Sequence, residues 1–334
     1  MLEKLRQPAF ALGFFVFAMA LIPLNDSFIK LMSGHLSIFQ ILSMRAVVCL
    51  SILIVVPGAI YAVTSLKWIT FFKLVFRGTC LVGAMLMFFL PLAQLGLAEV
   101  TAIFFTAPLL ISILSVPILG EKLGIYRIGA VIIGLTGVIV IVRPGSEGFT
   151  FAYLMPIAAA TSYAAYQIVT RYIRNEATLL SMVVVQNLVY FVAGLIGIMV
   201  GQLLINGPVE GEIMGFLTRD LTTPYPQELL FLLVGGFIVL TLSFASANVY
   251  SNVEATLIAP FEYVALPMAI FWGIVFWGDW PDLQSWIGIT MILAAGIIVI
   301  YRENIKSTET ASAAPMRAAS VASAIHQDED QENN

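Results

Sequence analysis

Charge is scarce in this sequence. Of its 334 residues, 11% are Asp, Glu, Lys or Arg and 60% are apolar, where a soluble domain carries about 25% charged residues. No soluble fold has an interior large enough to hide that much apolar surface, so the chain reads as a polytopic membrane protein. Histidine is nearly missing, with His35 and His326 the two present. No HExxH, no GxSxG and no phosphate-binding glycine loop occurs, which removes the metallohydrolase, nucleophile-elbow and P-loop pump classes from the readings. Cys49 and Cys80 both lie in apolar runs, without a CxxC or a metal spacing. They read as buried packing residues, and neither a metal nor a cofactor is expected. Basic excess is absent too. The net charge of −4 is accounted for by residues 303–334, where six acids face Lys306 and Arg317. The remainder is near neutral, so no nucleic-acid partner is expected.

What the chain has in abundance is long apolar runs. A helix crosses a bilayer in about 20 apolar residues. That length predicts ten spans, at roughly 9–32, 37–57, 75–95, 99–119, 124–142, 150–171, 178–204, 228–248, 253–277 and 284–301. Ala18-Met19-Ala20 has the small-residue pattern of a leader cleavage site. The apolar run continues past it to Met32, so the first span is expected to be retained. Lys and Arg set the orientation. With the N-terminus cytoplasmic, Lys4, Arg6, Lys67, Lys73, Arg77, Lys122, Arg127, Arg171, Arg174, Arg302, Lys306 and Arg317 face inward. Lys30, Arg143 and Arg219 face outward. Both termini are therefore expected inside. Tyr61 to Lys73 reads as an interfacial helix, Asn206 to Gln227 as a mobile exterior loop, and 303–334 as a disordered cytoplasmic tail.

The sequence echoes itself. Residues 97–144 join two apolar runs at Gly120-Glu121-Lys122, and residues 252–302 repeat the pattern at Gly278-Asp279. Glu99 is matched by Glu254, Pro108 by Pro267, and Gly129 to Arg143 by Gly288 to Arg302. Such self-similarity defines the architecture. Five spans per unit is an odd number, so the units, 9–143 and 150–302, must sit inverted in the membrane. Inverted repeats are the architecture of many secondary transporters, with substrate held near midplane between the halves.

These features resemble the drug/metabolite transporter superfamily, specifically its EamA-type ten-span members. The residues that carry the resemblance are Thr101 to Pro108, Gly120-Glu121, Gly129 to Arg143 and their echoes. The run Val253-Glu254-Ala255-Thr256 to Ala259-Pro260-Phe261-Glu262-Tyr263 is similar to the branch holding S-adenosylmethionine and riboflavin uptake carriers. Asp279 departs from the Glu usual there. The resemblance implies an all-α carrier of a small polar metabolite in the bacterial inner membrane, with uptake favoured over export. Its expected partners are that metabolite and the lipid bilayer, with a homodimer left open. A channel-like facilitator is the rival class.

Charged side chains within spans cost at least about 2.5–3.5 kcal/mol each at mid-helix. Asp26, Arg45 and Glu262 are such residues. In one reading Glu262 faces a central cavity and binds a cationic group or, with Asp26, carries a coupled proton, while Asp26 or Arg45 holds substrate. In the other, Asp26 and Arg45 form a structural ion pair and Glu262 is hydrogen-bonded to a neighbouring helix. Tyr263, Tyr166, Gln167, Asn187 and Phe105 complete the candidate substrate-binding set, since a ring with a few placed polar groups suits a planar ligand. Phe88, Phe104, Tyr163 and Tyr190 are further aromatic candidates. Pro91, Pro108, Pro260 and Pro267 would interrupt spans three, four and nine.

Overall fold

The computed structural model describes residues 8–121, 125–142, 150–204, 212–253, 255–295 and 297. Among these every regular element is helical: α1 (Pro8–Met32), α2 (Ile38–Val55), α3 (Ala59–Thr64), α4 (Trp68–Phe89), α5 (Leu97–Phe104), α6 (Ala107–Leu119), α7 (Ile125–Val142), α8 (Leu154–Tyr172), α9 (Leu179–Leu204), α10 (Glu212–Thr218), α11 (Pro226–Asn252), α12 (Ala255–Ile258) and α13 (Ala265–Trp277), then α14 (Leu283–Ala295). Among the described residues, six segments are long and apolar enough to cross a membrane: Ala11–Met32, Ile38–Val55, Trp68–Ala93, Leu97–Leu119, Leu179–Leu203 and Pro226–Asn252. Shorter apolar helices lie at Ile132–Val142, Phe261–Trp277 and Leu283–Ala295. α8 falls outside both sets because it spends Tyr163, Tyr166, Gln167 and Thr170 on the interior, where all four are buried. The lone large apolar residues pointing outward, such as Ile54, Ile132, Val192, Met199 and Phe237, would form patches untenable in water and belong against acyl chains.

Local chemistry sets the helix ends. Ser37 caps α2, its hydroxyl accepting from Gln40 N at 3.1 Å. Pro91 lies in a 3₁₀ turn, Leu90–Ala93, that tightens the end of α4. The two Gly-acid steps are closed identically. Gly120 and Gly278 adopt φ of +72° and +66°, which costs an L side chain and suits glycine. Gly120 N bonds Val116 O at 3.1 Å and Glu121 N bonds Ser115 O at 3.3 Å. Gly278 N bonds Ile274 O at 2.9 Å and Asp279 N bonds Gly273 O at 3.3 Å. In both, the N–H of the left-handed glycine reaches the carbonyl four residues back, the αL cap that satisfies one of the last carbonyls of a helix.

Packing is led by corresponding pairs. α4 lies along α8 and α11 along α1; α6 also packs on α8, and α13 on α1; α2 and α9 pair with each other. Alanines 18, 160, 164 and 245 sit in the core where α1, α8 and α11 meet, letting backbones approach as small residues do in membranes. α7 and α14 approach closely at Gly137 and Gly288. A Cβ built on Gly137 would lie 2.8 Å from Gly288 O, and one on Gly288 would lie 2.6 Å from Gly137 O. Gly137→Ala is therefore expected to cost about 1–3 kcal/mol, read as a lowered unfolding temperature of the purified protein. Unchanged unfolding would contradict this contact. Of the other glycines expected at helix contacts, Gly134 meets Leu109, Gly129 meets nothing within 4 Å, and Gly296 lies outside the described residues.

Three expectations are corrected. The expected interfacial helix over Tyr61 to Lys73 is divided: α3 is separate, and Trp68 already opens α4. Arg77, expected at a cytoplasmic mouth, is wholly buried within α4, because the helix begins two turns earlier than the apolar run. The loop expected to be mobile is strapped down over its described part. Gln40 Nε2 donates to Thr222 O at 2.5 Å, Thr222 Oγ1 to His35 O at 3.2 Å, and Arg219 to Ser33 O. His35 Nδ1 lies 2.9 Å from Glu228 Oε2, and its ring stacks on Tyr225. Near α1's end, Lys30 pairs with Asp279 at 3.6 Å and lies over Trp277. Elsewhere, Lys73 meets Glu176 at 2.6 Å, and this hydrogen bond holds the Glu176 carboxyl below its ordinary value. Arg143, Glu254, Arg302 and the tail 303–334 lie outside the described residues.

Candidate functional site

Two interruptions shape the interior. The fourth expected span breaks at Phe105 and Thr106, between α5 and α6, with Pro108 in the first turn of α6. Thr106 Oγ1 donates to Ile103 O at 2.9 Å, beside the bond from Thr106 N to the same carbonyl at 3.1 Å. The ninth breaks over Ala259–Val264, a 3₁₀ segment carrying Pro260, Glu262 and Tyr263. The breaks meet: the Phe105 and Tyr263 rings are 5.5 Å apart. Irregular backbone at membrane depth is tolerated where it is buried in protein or lines a cavity.

A cavity of about 140 Å³ lies there. Its wall takes Asn25 and Asp26 from α1, Arg45 from α2, Met85 and Phe88 from α4, Thr101 and Phe104 from α5, and Phe105 from the first break. α8 adds Tyr163 and Tyr166, α9 adds Gln186 and Tyr190, α11 adds Ser243 and Ser246, and the second break adds Glu262.

Three polar groups organise this wall. In the first, Glu262 Oε1 accepts from Tyr163 Oη at 3.0 Å and from Tyr250 Oη at 2.6 Å. Gln167 Nε2 donates to Tyr163 Oη at 2.6 Å and to Ser246 Oγ at 3.0 Å, while Ser246 Oγ also reaches Gln167 Oε1 at 3.1 Å. In the second, Arg77 Nε donates to Thr170 Oγ1 at 2.6 Å and Nη2 to Tyr166 Oη at 2.7 Å. Its Nη1 donates to Gln186 Oε1 at 3.2 Å and to Met182 O at 3.3 Å, and its guanidinium lies 4.2 Å from the Tyr166 ring centre. Gln186 Nε2 continues to Ser243 Oγ at 2.8 Å. The third group is Asp26, Asn25, Arg45 and Tyr190. Asn25 Nδ2 donates to Asp26 Oδ1 at 3.2 Å, and Arg45 Nη2 donates to Met85 Sδ at 3.0 Å with the Tyr190 ring 5.7 Å away.

Of the residues expected at the site, Asp26, Arg45, Phe105, Tyr166 and Glu262 line the cavity together. Gln167 stands one hydrogen bond behind it, through Tyr163. Tyr263 stands behind Phe105, its hydroxyl without a hydrogen-bond partner. Asn187 is buried on α9 outside the lining, its Nδ2 donating to Val183 O at 2.8 Å. No ion pair joins Asp26 to Arg45 among the described residues. Sequence reasoning passed over Arg77 and Tyr250. The signal for Arg77 was Trp68: an interfacial ring opening α4 puts a residue nine positions on well inside the membrane.

Residues 9–143 match the EamA-like transporter family. The S-adenosylmethionine uptake transporter of Rickettsia bellii is 24% identical over 302 residues, covering 90% of this chain and 97% of its own. The riboflavin transporter of Rhizobium johnstonii is 24% identical, covering 64% of each chain. A protein known from a crystal structure is 15% identical and superposes with a TM-score of 0.63, covering 87% of this chain and 96% of that one; it shares the fold. Residues 9–143 are thus similar to the EamA-like transporters, in a chain whose described residues form an all-α protein with several segments long and apolar enough to cross a membrane.

Proposed function

We propose that this chain is a secondary transporter that takes up a small polar metabolite across the bacterial inner membrane by alternating access. In this reading it is a carrier and not an enzyme, with both termini cytoplasmic. The observation that carries the proposal is the central cavity: buried Asp26, Arg45 and Glu262 line one space that two broken helices close. Ionisable groups kept inside a membrane mark substrate or proton pathways. The relatives named for S-adenosylmethionine and riboflavin transport support a small-metabolite substrate. The units 9–143 and 150–302 rock against each other as inverted repeats. The matched pairings of α4 with α8 and α11 with α1, and the twin glycine closures at Gly120 and Gly278, support that division. Proton coupling falls to Glu262 and Asp26.

Proteoliposomes test the class. The expected result is saturable uptake that is accelerated by unlabelled substrate on the far side, as a carrier requires. A conductance that does not saturate would replace the carrier with a channel. Transport seen only from preloaded vesicles outward would reverse the direction and leave the carrier standing.

A further inference from the structure

The four buried charges near the cavity are of two kinds. Glu262 Oε1 already accepts two phenols, and Arg77 is surrounded by four protein acceptors. Asp26 and Arg45 are 7% and 3% exposed, yet are poorly satisfied. A guanidinium has five N–H donors; that of Arg45 has a thioether, a weak acceptor, and an aromatic face. A carboxylate has about four lone-pair sites; that of Asp26 has one side-chain amide donor, Asn25. The two line the same cavity without closing an ion pair among the described residues. Buried charges are retained where geometry and further hydrogen bonds compensate them, and among the described residues protein groups alone meet neither condition here.

We infer that the substrate is a compact zwitterion, its carboxylate on Arg45 and its cationic group on Asp26. This rests on the carrier reading above and names its substrate class. A carboxylate matches the guanidinium fork bidentately, and an ammonium or sulfonium supplies the charge that Asp26 faces. A ligand with one charge leaves the other buried charge unmatched, the situation that makes truncation of a charge pair costly. The uncharged part of the ligand meets Phe88, Phe104 and Phe105. The cavity of about 140 Å³ is on the scale of an engineered apolar cavity of about 150 Å³ that holds benzene. A single ring or a thioether chain fits that space in this conformation.

The test uses the full-length protein in liposomes. Phenylalanine and methionine are the zwitterionic probes. Phenylethylamine lacks the carboxylate, phenylpropanoate lacks the amine, and riboflavin lacks the zwitterionic pair. The expected result is saturable transport of at least one zwitterion, with single-charge analogues weaker on the order of thirtyfold. Arg45→Gln is expected to raise the KM for that zwitterion by a similar factor with Vmax little changed, and Arg45→Lys to fall between. A merely structural Arg45 would lower the amount of folded protein and leave KM alone. Equal transport of a single-charge analogue, transport of riboflavin in preference to every zwitterion, or a KM untouched by Arg45→Gln would overturn the inference and leave a carrier. Folded protein that moves neither zwitterion in either direction would also overturn the inference, and the saturation and exchange test above would then decide the carrier reading separately.

Discussion

Glu262→Gln is expected to reduce gradient-driven uptake to the level of protein-free liposomes while leaving substrate exchange across the membrane largely intact. Glu262 sits in the 3₁₀ break of the ninth expected span and ties it to two other helices, through Tyr163 on α8 and Tyr250 on α11. Glutamine keeps the side chain's size and offers a carbonyl oxygen to the same two hydroxyls, so the wall keeps its shape. It cannot bind and release a proton. Exchange of labelled for unlabelled substrate needs no net proton movement, whereas accumulation driven by a pH gradient does. Tyr250→Phe, which removes the 2.6 Å bond, should weaken coupling less. If Glu262→Gln accumulated substrate as the wild type does, Glu262 would be a strut between helices and the coupled proton would lie elsewhere, with Asp26 the next candidate.

The largest loss of stability is expected at Arg77. Its side chain is completely buried and donates to four acceptors drawn from α8 and α9, so it fastens α4 to both. Arg77→Ala removes those bonds, some of them to groups with no water to turn to, and opens a cavity. Losing a large buried side chain costs about 2–5 kcal/mol from the cavity alone, and a hydrogen bond to a charged group is worth about 1.5–3 kcal/mol. Relief from keeping a cation dry offsets part of this. A net loss of about 3–5 kcal/mol should lower the unfolding midpoint of the purified protein by roughly 10 °C. Arg77→Lys keeps the charge, but a point ammonium does not reproduce the planar fork, and an intermediate loss is expected. A midpoint for Arg77→Ala equal to wild type would show that the network adds nothing to holding α4, α8 and α9 together.

The fold was legible because its causes are local. Apolar run length follows from bilayer thickness, and the Gly-acid steps were readable because only glycine tolerates the left-handed closure found at Gly120 and Gly278. Glu262, Asp26 and Arg45 stood out for the same kind of reason, since charge within an apolar run is rare. What stayed hidden depends on helix rotation and on pairing between distant elements. Arg77 counted as a loop cation because hydropathy marks where a run becomes apolar, not where the helix begins. Asn187 and Gln167 looked equivalent in sequence. α9 turns Asn187 away from the cavity, whereas α8 places Gln167 four residues from Tyr163 on the same face. Tyr250 was one tyrosine among 11 until the second break brought Glu262 to it.

Alternating exposure of the cavity is the central claim, and accessibility of one wall position measures it most directly. Thr101 is 4% exposed and lines the cavity, and its hydroxyl has no hydrogen-bond partner, which makes it a mild site for cysteine. In a variant with Cys49 and Cys80 replaced, Thr101→Cys would be labelled with a membrane-impermeant thiol reagent from each side of oriented vesicles, with and without substrate. The account predicts reaction from either side, with substrate shifting the balance between the two. Reaction from one side alone under every condition would contradict alternating access.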